Sequence, residues 1–111
     1  APLGGIHSAL RTASEANLPV VVSSALESSV GIATGLALAA ALPDIGLDAG
    51  LGTAALLAAD IVTEPLIAKN GRIALRRVTP DAKLLAQFAA SQDRREWWFS
   101  RLTASYRALN Y

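Results

Sequence analysis

At 111 residues the chain is long enough for one small domain, and 52% hydrophobic with 17% charged residues is a globular rather than a disordered composition. A net charge of +1 gives little long-range pull on phosphates, which argues against nucleic acid as a partner. There is no cysteine, so disulfides and thiolate metal sites are excluded, and a reducing cytoplasm fits.

The opening "APLGGIHSAL" has neither the basic start nor the apolar core of a signal peptide. With no methionine anywhere, the chain is expected to be a piece of something longer. "PLGG" is turn-like. Ile6, Leu10 and Ala13 then fall at i, i+4 and i+7, which predicts a helix over 6–16 with His7 on its exposed side. Asn17 suits a left-handed helix end. Val20-Val21-Val22 does not alternate with polar residues, so the spacing predicts a parallel strand buried on both faces.

"VVVSSALESSVG" ends that strand in hydroxyls and a carboxylate instead of ordinary turn residues. Ser28 or Ser29 is positioned to cap the next helix, Val30 to Leu42, which Pro43 stops. Its Gly31, Gly35 and Ala39 form a small-residue face on which a helix lies close to a sheet. The uncharged run is 13 residues, short of the roughly 20 that a membrane span needs. After "PDIGLDAG", Gly50 and Gly52 mark a second strand end, with Thr53 as a cap and Leu56 and Leu57 in a short helix. "TEPLIAKNGRIAL" is extended around an Asn70-Gly71 hairpin turn. Thr79-Pro80 reads as a cap followed by a first-turn proline, opening a helix that carries Leu84, Leu85 and Phe88. A last helix from near Ser91 puts Trp98, Leu102, Tyr106 and Leu109 on one face.

Composition changes along the way. Residues 1–68 hold one basic and six acidic residues, whereas 69–111 hold nine basic and three acidic ones and all six aromatics. We therefore expect two parts, with a seam near Lys69-Asn70-Gly71. Arginines beside tryptophans raise nucleic-acid binding. The simpler reading of the tail is an amphipathic helix with solvated arginines and an aromatic core stripe.

In βα folds the C-terminal tips of strands carry the functional rim. "SSALESS" and "AGLGT" both fall there. Serine hydroxyls and free N–H groups at a helix start suit a carboxylate, and glycines let backbone approach a ligand. The polar cluster is accordingly expected to line a pocket. The alternative stays open: a serine before a helix is commonly only a cap, and Glu27 can merely satisfy a first-turn amide. No HExxH, Walker loop or GxGxxG pattern is present.

"APLGGIHSALRTASEANLPVVVSSALESSVGIATGLALAAALP" together with "DAGLGTAALLAADI" closely resembles the C-terminal part of the actinobacterial o-succinylbenzoate synthases of the enolase superfamily. The resemblance covers roughly residues 1 to 78 and is looser beyond, in the "RREWW" helix. It implies an α/β fold, the C-terminal portion of a (β/α)8 barrel. Residues 6–16 would be the sixth helix, Val20–Ser24 the seventh strand, Val30–Leu42 its helix, and Ala49–Gly52 the end of the eighth strand. Residues 1–68 would then be barrel, and 69–111 an extended segment and helical tail returning toward a capping domain.

The implied function is a Mg²⁺-dependent dehydration of a cyclohexadiene carboxylate through an enediolate, in cytoplasmic menaquinone biosynthesis. The family's metal ligands and proton-moving lysines lie on strands two to six, which the chain does not contain. The sixth-strand lysine is expected two residues before Ala1, so no catalytic residue and no metal ligand is expected here. Lys69 and Lys83 lie in the tail and cannot take its place. What carries over is substrate binding: Ser23 and Ser24 near the carboxylate, Gly50 with its backbone alongside, and Glu27 by position in the motif. Asp48 and Ala49 depart from the family's usual residues before "GLGT". The implied partners are a small carboxylate substrate and the missing N-terminal portion of the same enzyme, with no membrane and no nucleic acid. The alternatives are an N-succinylamino acid racemase or a cycloisomerase of the same superfamily, or a non-enzymatic helical interaction module. The last would pair its apolar helix faces internally. A barrel piece would leave a strand edge and an apolar patch exposed.

Overall fold

A computed structural model describes residues 4–43 and 46–109. The expected turn residues Pro2 and Leu3, and Asp44 and Ile45 beyond the helix stop, lie outside these. The described helices are α1 (Gly5–Ala16), α2 (Ser29–Ala41), α3 (Ala82–Gln87) and α4 (Gln92–Leu109), with a 3-10 turn at Gly52–Leu56 between α2 and α3.

Helix α1 forms where its periodicity places it. Ile6, Leu10 and Ala13 are half-buried, and His7 is exposed. Asn17 ends it at φ 50°, the left-handed conformation that asparagine tolerates better than most residues. α1 packs on α2, the only substantial helix pairing among the described residues. α2 is apolar on nearly all sides, so it serves two neighbours. Ile32 is fully buried and packs with Ala54 and Leu66, and Leu36, Ile73 and Val78 close around them. On another side Gly35 meets Leu51 so closely that a Cβ would sit 2.8 Å from a leucine methyl. Burying a side chain such as Ile32 contributes about 1.5–3 kcal/mol.

The predicted strands are corrected. Val20–Ser24 and the segment at Gly50 are extended but share a single parallel bridge, Ser23 with Gly50. Two backbone bonds make it: Gly50 N–H to Val22 O and Ser24 N–H to Gly50 O, both 2.9 Å. Among the described residues no third strand lies beside either segment, so the ladder stops there. For the same reason the expected burial of both strand faces fails, and Val21 is 47% exposed.

The hairpin turn is as expected. Asn70 and Gly71 sit at φ 50° and 74° between Lys69 and Arg72, which exchange both backbone bonds. The capping residues differ from expectation. Ser28 is the N-cap of α2 but makes no side-chain bond. Thr53 lies inside the 3-10 turn, whose N-cap is Leu51. Helix α3 is capped by Asp81, whose Oδ1 accepts from Lys83 N and Leu84 N at 2.9 and 3.0 Å, so Thr79 and Pro80 stay outside it. A carboxylate is a strong cap acceptor, and the Asp81 N–H is anchored on Ile61 O at 2.8 Å.

The aromatic core stripe is also corrected. Trp98, Leu102, Tyr106 and Leu109 are all exposed, as are Trp97 and Phe99, and no other described helix makes more than a slight contact with α4. Arg94 and Arg101 instead lie over the Trp97 ring at 4.5 and 5.4 Å, and Trp97 meets Trp98 edge to face. Leu18, Leu26, Leu47 and Leu56 are exposed as well. That pattern runs against a self-contained helical module. Among the described residues no helix is long and apolar enough to cross a membrane.

Candidate functional site

The bridge between the two extended segments brings Ser23, Ser24 and Gly50 together. Successive side chains of an extended chain point to opposite sides, and the two serines divide accordingly. Ser24 is half-buried, with its hydroxyl 2.8 Å from Thr53 Oγ1 and 3.1 Å from Gly50 O. Ser23 is exposed, and its hydroxyl reaches the same carbonyl at only 3.4 Å. An O–H···O bond is ordinarily 2.7–2.8 Å, so Ser23 gives up little by turning to another acceptor.

Gly50 is required here by space rather than by dihedral angle. A Cβ would lie 2.7 Å from Ser23 Oγ and 3.3 Å from Ser23 Cβ. Its N–H already donates to Val22 O. The missing side chain at Gly50 therefore makes room for Ser23, and its N–H is not a free donor.

Beside this bridge runs an open, largely apolar cleft of about 540 Å³ between α1, Val20–Ser23 and α2. Ser23 and Glu27 are its polar lining, with Thr12 and Thr34; Ala13, Gly35, Leu38 and Leu51 supply apolar walls. Glu27 lies along the start of α2, where a Cβ on Gly31 would meet its side chain at 3.0 Å. The four predicted residues are thus neighbours in two groups. Ser23 and Glu27 face the cleft, while Ser24 turns to Thr53 beyond the Gly50 carbonyl.

Two residues of this region escaped the sequence reading. Thr53 was expected only as a cap, yet it holds the Ser24 hydroxyl. Asp60 carries no motif at all. Its Oδ2 accepts from Ser29 N at 2.9 Å and from Ser29 Oγ at 2.6 Å, while its Oδ1 accepts from Ile61 N at 2.7 Å. Ser29, fully buried, accepts in turn from Leu66 N at 2.7 Å. The carboxylate so caps α2 from 31 residues away. The only local hint was an aspartate just past the apolar run "LLAA". Among the described residues no three His, Asp or Glu side chains gather as metal ligands, so they do not fit a Mg²⁺ site.

Comparison with curated proteins decides the relationship. The chain is 49% identical over 109 residues, 98% of its length, to o-succinylbenzoate synthases of Mycobacterium ulcerans, Mycobacterium marinum and Mycobacterium tuberculosis. The chain is a relative of the o-succinylbenzoate synthases. The expected resemblance is borne out and is wider than read from the motifs, since it takes in the tail with α4. The chain spans 33% of the length of these relatives, as a C-terminal fragment of such a synthase would. No family model matches it.

Proposed function

We propose that the chain is the C-terminal third of an o-succinylbenzoate synthase and supplies part of its substrate pocket. The observation that carries this reading is 49% identity across 98% of the chain to enzymes of that name. The reaction is loss of water from a hydroxylated cyclohexadiene carboxylate. In this reading the fold is the last staves of a (β/α)8 barrel, and the single parallel bridge is the remnant pairing of its seventh and eighth strands. The enzyme would act in the cytoplasm.

The chain's own residues bind and orient. Ser23 gives the substrate carboxylate a charge-assisted hydrogen bond in exchange for its long contact to Gly50 O. Ser24, fixed by Thr53, backs the same position. Gly50, by lacking a side chain, leaves room for Ser23 to stand beside it. Glu27 accepts from the substrate hydroxyl, a role suited to a carboxylate that would repel a second anion. The apolar cleft walls exclude water. Metal binding and proton transfer are assigned to other parts of the protein.

The test uses the intact protein, made with its upstream coding sequence. Formation of o-succinylbenzoate is expected with Mg²⁺, and none from residues 1–111 alone. Ser23→Ala should raise KM by about tenfold or more, the loss of one hydrogen bond to a charged group. Racemisation of N-succinylamino acids without dehydration, or dehydration by the isolated chain, would overturn the assignment.

A further inference from the structure

The loop from Ser23 to Ser28 is held at two ends. Its upstream end is pinned by the bridge to Gly50. Its downstream end runs directly into Ser29, the buried polar residue that Asp60 grips through both N–H and hydroxyl. Ser28 O accepts from Ile32 N at 3.0 Å, so the first turn of α2 begins immediately after the loop. The segment that carries Asp60 is itself anchored. Ile61 O holds Asp81 N, Leu66 N donates to Ser29 Oγ, and Val62 and Leu66 are buried.

We infer that Asp60 is a positioning residue for the substrate loop: by fixing Ser29 it holds the downstream end, and with the Gly50 bridge holding Ser23 and Ser24 it sets where Glu27 stands between them. The inference rests on the proposed function for its substrate. Its mechanics rest on geometry alone. A lone Ser28 cap makes no side-chain bond, so without Asp60 the start of α2 is left with unpaired N–H donors and a buried hydroxyl missing its acceptor. The first turn then frays, and fraying reaches the residues just upstream. Asp60 touches neither the cleft nor the Ser23–Gly50 bridge, so its effect on substrate is transmitted only through this loop.

The experiment compares Asp60→Asn and Ser29→Ala with the unsubstituted intact protein. Asparagine keeps the shape and one acceptor oxygen but turns the other into a donor facing donors. The expected result is a rise in KM for the cyclohexadiene carboxylate of about tenfold, with kcat within about threefold. Amide exchange over residues 23–29 should speed up about tenfold, with the rest of the chain unchanged. Ser29→Ala should do the same, and the double variant should add little to either single one. An unchanged KM in an active protein overturns the inference. So does exchange that accelerates across the whole chain, because a merely structural role predicts that. Should the unsubstituted protein not dehydrate the substrate, the functional proposal fails, and exchange over 23–29 alone decides the positioning role.

Discussion

Substituting Gly50 by alanine tests whether the two extended segments meet as they do here. The added Cβ would stand 2.7 Å from Ser23 Oγ, 3.3 Å from Ser23 Cβ and 3.6 Å from Ser23 Cα. Gly50 is not among the residues with positive φ, so the penalty is purely steric. The Ser23 hydroxyl can turn away from its long contact, but Ser23 Cβ at 3.3 Å must still give by a few tenths of an ångström. The strain is expected to cost about 1–3 kcal/mol, either as overpacking or as loss of the two 2.9 Å backbone bonds of the bridge. Ser23→Gly removes both close atoms and leaves only the ordinary 3.6 Å contact, at about 0.5–1 kcal/mol for its own added chain freedom. Urea unfolding of the intact protein and the three variants measures the cycle. The double variant should be more stable than the sum of the singles implies by at least about 1 kcal/mol. Additivity within roughly 0.5 kcal/mol would mean the segments do not approach this closely, and the argument for Gly50 would go with it.

Three further outcomes follow from the packing. Asp81→Ala should lower stability by about 0.5–2 kcal/mol in the same unfolding assay, because it strips the two cap bonds of α3. Ile32→Ala should cost about 2–5 kcal/mol, since Ile32 is fully buried against Ala54 and Leu66. The isolated chain should bind a dye that senses apolar surface, and its tryptophan emission should be quenched readily by an aqueous quencher. Trp97 and Trp98 are 45% and 53% exposed; a protected signal would refute the open face of α4.

The parts of the fold legible in the sequence were those fixed by local chemistry. The 3.6-residue spacing of α1, the asparagine at its end, the proline after α2 and the Asn70-Gly71 turn all act within a few residues of themselves. What failed depended on distant partners. Val20-Val21-Val22 reads as a doubly buried strand because its residues suit one, but burial needs neighbours on both sides, and Val21, which borders the cleft, stays 47% exposed. The stripe of α4 has the right period for a core, yet Trp98, Leu102, Tyr106 and Leu109 stay exposed. Thr79-Pro80 has the form of a helix start, yet Asp81 wins because a carboxylate accepts two amides at once. At the candidate site, Ser23, Ser24, Glu27 and Gly50 were expected together because they cluster in two short motifs. Asp60 was not, because its partner is 31 residues earlier and no local rule links an aspartate there to a serine at Ser29.

The accessible surface ties these observations together. A folded monomer of 11.5 kDa exposes about 5,800 Å². This chain exposes 8639 Å², and its radius of gyration of 16.4 Å exceeds the roughly 13 Å of a compact domain of its length. The excess, roughly 2,800 Å², is what one side of a large obligate interface buries. Part of it lies at Val21 and along α4, where the pattern promised burial, and part at the exposed leucines. A core limited to a few residues around Ile32, Leu51 and Leu66 cannot by itself offset the ordering of so open a chain. The residues that would touch substrate are therefore held by the small polar clamps described above, Gly50 on one side and Asp60 on the other. In the proposed enzyme the rest of the barrel supplies the burial, and these clamps supply the register in which Ser23 meets it.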